Sequence, residues 1–108
     1  MRRLIFLLAM LFVISAHDAV AEIVGRASVI DGDTIEIRSE HIRLYGIDTP
    51  ESTQLCDLNG QPYRCGQQAA LALADKIGEK AVRCLEKDGD RYGRTIAVCS
   101  VCGEDINR

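Results

Sequence analysis

Residues 4–14 form an unbroken apolar run, set behind Arg2 and Arg3 and ahead of Ala19-Val20-Ala21, and this opening decides what the rest of the chain can be. Basic residues, a short hydrophobic core and a small-x-small site, in that order, are the layout of a secretory signal peptide. A run of 11 residues is well short of a membrane-spanning helix, which needs roughly 20. No cysteine stands at the cleavage site, so a lipid anchor is not expected there. Residues 1–21 therefore read as a signal peptide and residues 22–108 as one small domain. That domain would be secreted or periplasmic, with no stable membrane association once the signal is removed.

Export gives the cysteines their meaning. Cys56, Cys65, Cys84, Cys99 and Cys102 all fall in the mature part, and an oxidising compartment lets disulfides persist. Zinc is the rival reading, but Cys99-x-x-Cys102 has no second pair to complete a site, His17 falls in the signal, and His41 stands far off. Cys56 and Cys65 flank one irregular loop and make a short clip. Cys84 and Cys99 lie at equal offsets from the loop between two strands, where cross-strand bridging is possible. Cys84–Cys102 is also within reach; in the first pairing Cys102 is spare.

Losing the signal also changes the charge. Without Arg2, Arg3 and Asp18 the mature domain keeps 11 basic against 15 acidic residues, net −4. That excludes a generic basic wrapper of nucleic acid. Phe6 and Phe12 leave with the signal, so Tyr45, Tyr63 and Tyr92 are the mature domain's aromatics. The core must be aliphatic, and three aromatics are few for a protein that binds single strands by stacking bases.

Residues 23–30 read as a strand interrupted by Gly25. Asp31-Gly32 is a turn dipeptide, with Gly32 expected at positive φ. Residues 34–38 alternate polar and apolar, Ser39-Glu40 reverses the chain, and residues 41–45 alternate again. Ile42 and Leu44 then face one way, and His41, Arg43 and Tyr45 the other. Residues 52–63 read as irregular. A helix follows over about residues 66–77, with Ala69, Leu73 and Ile77 on one stripe and Gly78 as its stop. Residues 80–87 and 94–101 read as strands around a charged loop at 88–91. The order β-β-β-α-β-β predicts a mainly β protein with one helix, a five-stranded barrel of the OB type.

Three charged clusters sit at the ends of these elements: Asp31-Gly32-Asp33-Thr34, Arg43 with Asp48-Thr49-Pro50-Glu51, and Asp90-Arg91-Tyr92-Gly93-Arg94. Each alone reads as an ordinary polar turn or a capped strand exit. Together they carry more. Asp33 starts one strand and Asp48 and Glu51 follow its neighbour, so their carboxylates can meet at one rim of the barrel. Hard oxygens of that kind suit Ca²⁺ or Mg²⁺, and the planar forks of Arg43 and Arg94 fit phosphate oxygens. This is a set of parts for phosphodiester hydrolysis. The competing readings are a non-catalytic OB module that binds nucleic acid or protein, and a disulfide-held structural domain whose charged loops are solvated turns.

Residues 29–34, 42–44 and 46–51, with 90–94, resemble the motifs of the thermonuclease (staphylococcal nuclease-like) family in order and spacing. The resemblance spans nearly all of the mature domain. It implies an OB barrel with helices, and Ca²⁺-dependent hydrolysis of DNA and RNA with little sequence selectivity. By this resemblance Asp33 and Asp48 hold Ca²⁺ through carboxylates and Thr49 through its carbonyl. Glu51 orients or deprotonates the attacking water, Arg43 and Arg94 bind the scissile phosphate, and Tyr92 and Arg91 contact the substrate. The expected enzyme is a monomer acting on single-stranded or frayed DNA and RNA. Members of the family run on into two further helices, so residues 104–108 would open the first of them. The domain is then expected to be incomplete at its C-terminus, and an inactive truncated product is the alternative to an active enzyme.

The signal makes a direct prediction. The intact mass of the exported protein should match a chain beginning at Glu22; a product that keeps residues 1–21 would point to an N-terminal membrane anchor instead.

Overall fold

Ile35, Ile37, Ile42 and Leu44 occupy alternate positions on two neighbouring strands, and all four are almost fully withdrawn from water. This period-two burial builds the wall of a barrel. The structure, a computed structural model, describes residues 21–89 and 93–107. The expected signal up to residue 20, and Arg91 and Tyr92, lie outside the described residues. The elements are β1 (Glu22–Gly25), β2 (Ser28–Asp31), β3 (Thr34–Ile37), β4 (Glu40–Leu44), β5 (Cys56–Leu58), β6 (Gln61–Tyr63), α1 (Cys65–Ile77), β7 (Val82–Gly89), β8 (Thr95–Val101) and β9 (Glu104–Asp105). Among the described residues no helix is long and apolar enough to cross a membrane.

Strand pairing shows the OB-like architecture. β2 pairs antiparallel with β3, β3 with β4, and β7 with β8, while β4 and β8 run parallel. β1 pairs antiparallel with β7. Only Arg26 and Ala27 separate β1 from β2, so the two act as one bent strand whose first half meets β7 and whose second half meets β3. That bend joins the ends of a five-stranded sheet, which abolishes its exposed edges. The single strand expected over residues 23–30 is thus two segments. At the bend, a Cβ on Gly25 would lie 2.9 Å from Ile37 Cγ2, so any side chain there would have to displace a core residue.

The core is aliphatic. Val82, Ala97, Val101 and Ile106 complete the barrel interior, and Leu73 and Ile77 join it from α1. Each Leu or Ile buried this fully contributes about 1.5–3 kcal/mol of transfer free energy. Two disulfides are present, Cys56–Cys65 and Cys84–Cys99, and Cys102 is free and exposed. Cys84 and Cys99 are register partners on β7 and β8, and both are fully buried; the bridge is part of the core.

Several boundaries differ from the sequence reading. The β3–β4 reversal uses Arg38 and Ser39, both at positive φ, the backbone that a two-residue hairpin matched to strand twist requires. Asn59 and Gly60 do the same between β5 and β6, making a hairpin inside the stretch read as irregular. β7 continues to Gly89 through a register irregularity between Glu86 and Asp88, where a loop was expected from residue 88. Residues 104–105 do not open a helix. Cys102 and Gly103, at φ 50° and 80°, turn the chain back so that β9 pairs with β8.

Asn107 secures that return. Its Oδ1 accepts from the Cys99 amide at 2.8 Å, and its Nδ2 donates to the carbonyls of Tyr45 at 2.8 Å and Ala97 at 3.0 Å. These groups stand where β4 and β8 part, and among the described residues Asn107 is the side chain that satisfies the Cys99 amide. Asn107→Ala should therefore lower stability by about 2–3 kcal/mol, the cost of leaving partly buried backbone groups unpaired. Urea unfolding measures this, and a loss below about 0.5 kcal/mol would show that water replaces the side chain.

Candidate active site

The site begins with a tight turn. Asp31 and Thr34 face each other across the β2–β3 hairpin, which leaves Gly32 and Asp33 as its two turn residues. Gly32 does not take the positive φ expected of it. It is small for a different reason: a Cβ there would lie 2.8 Å from both Ala69 Cβ and Thr49 Oγ1. The bare backbone lets the turn press between α1 and the segment after β4.

Asp33 is buried, at 7% exposure, and every recorded contact of its carboxylate is with a donor. Oδ1 accepts from the Thr34 hydroxyl at 2.9 Å. Oδ2 accepts from the Thr49 amide at 3.0 Å and from Arg43 Nη1 at 3.3 Å. Arg43 Nη1 also donates to the Ile47 carbonyl at 3.3 Å, and Nη2 reaches Asp48 Oδ1 at 3.5 Å. One guanidinium thus bridges a buried carboxylate and an exposed one, Asp48, whose side chain is 92% exposed.

Arg94 arrives from the far side of the sequence. The parallel pairing sets Ile42 opposite Thr95 and Arg43 opposite Ile96, so the residue that enters β8 lies beside the β4 strand that carries Arg43. Asp31, Asp33, Arg43, Asp48, Thr49, Glu51 and Arg94 line one open cleft of about 210 Å³. The structure therefore brings together Asp33, Asp48, Thr49, Glu51, Arg43 and Arg94, the six described residues singled out from the sequence for metal or phosphate. Arg91 and Tyr92 lie outside the described residues.

Asp31 is the residue that sequence reasoning left unassigned. Its Oδ1 accepts from the Ser52 amide at 2.6 Å, which ties the loop carrying Glu51 to the end of β2. The signal was present in the Asp-x-Asp spacing of Asp31 and Asp33.

The donors fit a hard divalent cation. They are all oxygens. Asp33 and Asp48 contribute carboxylate oxygens and Thr49 a backbone carbonyl, all at the same open cleft. Among the described residues no three His, Cys, Asp or Glu side chains stand close enough to enclose a metal. An ion here would use a partial protein set and water, as hard cations commonly do.

Comparison with known proteins adds the family. The staphylococcal nuclease homologue model matches residues 41–108. The chain is similar to the succinoglycan biosynthesis protein ExoI of Rhizobium meliloti, 47% identical over 85% of this chain and 51% of that protein. It is similar to the micrococcal nuclease of Shigella flexneri, 39% identical over 65% of this chain and 37% of that protein. An uncharacterized endonuclease of Haemophilus influenzae is 34% identical over 73% of this chain and 42% of its own length. The chain spans about half the length, or less, of these curated relatives. Asp31 and Asp33 precede the stretch matched by the family model; the hairpin geometry is what joins them to the cleft.

Gly32→Ala should cost about 1–3 kcal/mol, the usual penalty for inserting a methyl group into a filled contact. Since φ is not positive at this position, the cost would come from packing alone. Chemical denaturation of the variant against wild type measures it; unchanged stability would mean that α1 and Thr49 separate freely from the turn.

Proposed function

The chain belongs to the staphylococcal nuclease homologue family, and on that premise we propose that it is an exported, Ca²⁺-dependent nuclease that hydrolyses phosphodiester bonds of DNA and RNA with little sequence selectivity. The observation that carries this reading is the single cleft shared by the carboxylates of Asp33, Asp48 and Glu51 and the guanidiniums of Arg43 and Arg94. The two disulfides suit a secreted or periplasmic protein, and the proposed enzyme acts as a monomer on single-stranded or frayed nucleic acid.

In this proposal Asp33, Asp48 and the Thr49 carbonyl hold Ca²⁺. The bound ion supplies a Lewis acid for the phosphate oxygens. In-line attack by water adds negative charge to those oxygens as the bond to the leaving oxygen breaks. Arg43 and Arg94 meet that charge. Arg43 is well suited to do so, because Asp33 and the Ile47 carbonyl already fix its side chain, and a donor fixed in advance needs little reorganisation when the charge develops. Glu51 orients or deprotonates the attacking water. Arg91 and Tyr92 bind substrate, Tyr92 at a nucleotide phosphate and Arg91 as a cation beside it, roles that rest on the motif resemblance. No base-reading groups are needed; phosphate contacts position a substrate without specifying its sequence.

Hydrolysis of single-stranded DNA by the full-length protein should vanish in excess chelator and return with Ca²⁺. Equal turnover in both conditions would remove the metal from the reading. Arg94→Ala and Arg43→Ala should each lower kcat by roughly a hundredfold or more, the scale seen when one donor to a developing oxyanion is lost.

A further inference from the structure

Glu51 is exposed and sits on a loop between β4 and β5, yet a water-activating carboxylate has to be held in place. The loop is fastened at several points. The Glu51 amide donates to Gln54 Oε1 at 3.3 Å, and the Gln54 amide donates back to the Glu51 carbonyl at 2.8 Å. The Gln54 carbonyl accepts from the Gly66 amide at 3.2 Å. Helix α1 has no side-chain cap and no acidic residue in its first turn, so a loop carbonyl satisfies one of the amides that a helix start leaves open. A Cβ on Gly66 would overlap the Glu51 carbonyl oxygen, so the backbone of Glu51 rests directly on the helix. Cys56–Cys65 ties the far end of the same loop to the first residue of α1.

We propose that Gln54 is a positioning residue for Glu51, and that with Gly66 it fixes the water-activating carboxylate to the rigid N-terminal end of α1. The inference rests on the functional reading above and deepens it. Gln54 lines no part of the catalytic cleft; it acts through the backbone of Glu51. Its side chain is exposed and its own amide and carbonyl make the remaining bonds, so changing the side chain leaves the fold intact. Misplacing a reacting group by about an ångström can cost up to a hundredfold in rate, and a single side-chain hydrogen bond to a loop should cost nearer tenfold.

The test is a double-mutant cycle in the full-length protein, reading kcat and KM on single-stranded DNA with Ca²⁺. Gln54→Met keeps the length of the side chain and removes the acceptor; kcat should fall about tenfold with KM unchanged within about twofold. Gln54→Glu keeps an acceptor at the same place and should recover most of the rate. In a Glu51→Gln background, Gln54→Met should have no further effect, because the group it positions is already disabled. Gly66→Ala should lower kcat more than Gln54→Met, since the new methyl group drives the Glu51 backbone off the helix. Undiminished kcat in Gln54→Met, or an equal loss in the Glu51→Gln background, would overturn this inference alone. No hydrolysis by the wild-type protein would overturn the functional reading and this inference with it.

Discussion

A single carboxylate, that of Asp33, holds the cleft end of the barrel together. It is buried at a hairpin tip, where an isolated negative charge costs several kcal/mol unless donors surround it. Its recorded donors come from three places: the hydroxyl of the next residue, the guanidinium of Arg43 on β4, and the amide of Thr49 after β4. Satisfying Asp33 therefore fixes the relative positions of a turn, a strand and a loop. Arg43 extends the arrangement to Asp48, and Asp31 repeats it on a smaller scale by holding Ser52. The Glu51 segment ends up bound on one side to β2 and on the other to α1.

This polar layer needs a rigid base, which the barrel provides. A sheet with free ends could twist and move the β2–β3 turn relative to β8. The bend at Gly25 removes that freedom by letting one length of chain pair with β7 and then with β3. Two glycines that look alike in sequence serve similar ends by being small: Gly25 admits Ile37 and Gly32 admits Ala69 and Thr49. Neither depends on the left-handed backbone that glycine alone adopts freely.

The fold was legible where physics is local. Alternation at residues 34–38 and 41–45 revealed two strands, and four-residue spacing of Ala69, Leu73 and Ile77 revealed the helix. Cysteine offsets from a hairpin loop put Cys84–Cys99 forward beside Cys84–Cys102, and the strand register decides for the first. The rest was hidden because it depends on contacts between distant residues. Nothing in residues 23–30 says that their two halves pair with different strands. Gly32 carries the composition of a positive-φ turn, and only the presence of α1 against it shows that size was the constraint. The β5–β6 hairpin had its Asn59-Gly60 turn signal, but flanking strands of three residues each are too short to display a period. Residues 104–108 look like a helix start by analogy with the family, and the paired turn at Cys102 and Gly103 prevails. For the site, the charged residues and their grouping were readable, whereas the structural duties of Asp31, Gln54, Gly66 and Asn107 were not. Asp31, Gly66 and Asn107 work by meeting backbone distant in sequence, and the local bond from the Glu51 amide to Gln54 gains its meaning only from the helix that the same loop rests on.

The parallel pairing of β4 with β8 has a consequence for the order of events during folding. Arg43 and Arg94 come from segments with the whole of α1 and β7 between them, and bringing them to one cleft requires a long loop to be closed, which slows folding. The hairpin holding Asp33 can form early and locally, but it lacks the second arginine until β8 docks. The buried Cys84–Cys99 bridge then locks β7 against β8 and, through that strand, keeps Arg94 at the cleft. Under the proposed function, the cleft is complete only when β8 has docked beside β4, and the bridge between β7 and β8 stabilises that docked arrangement.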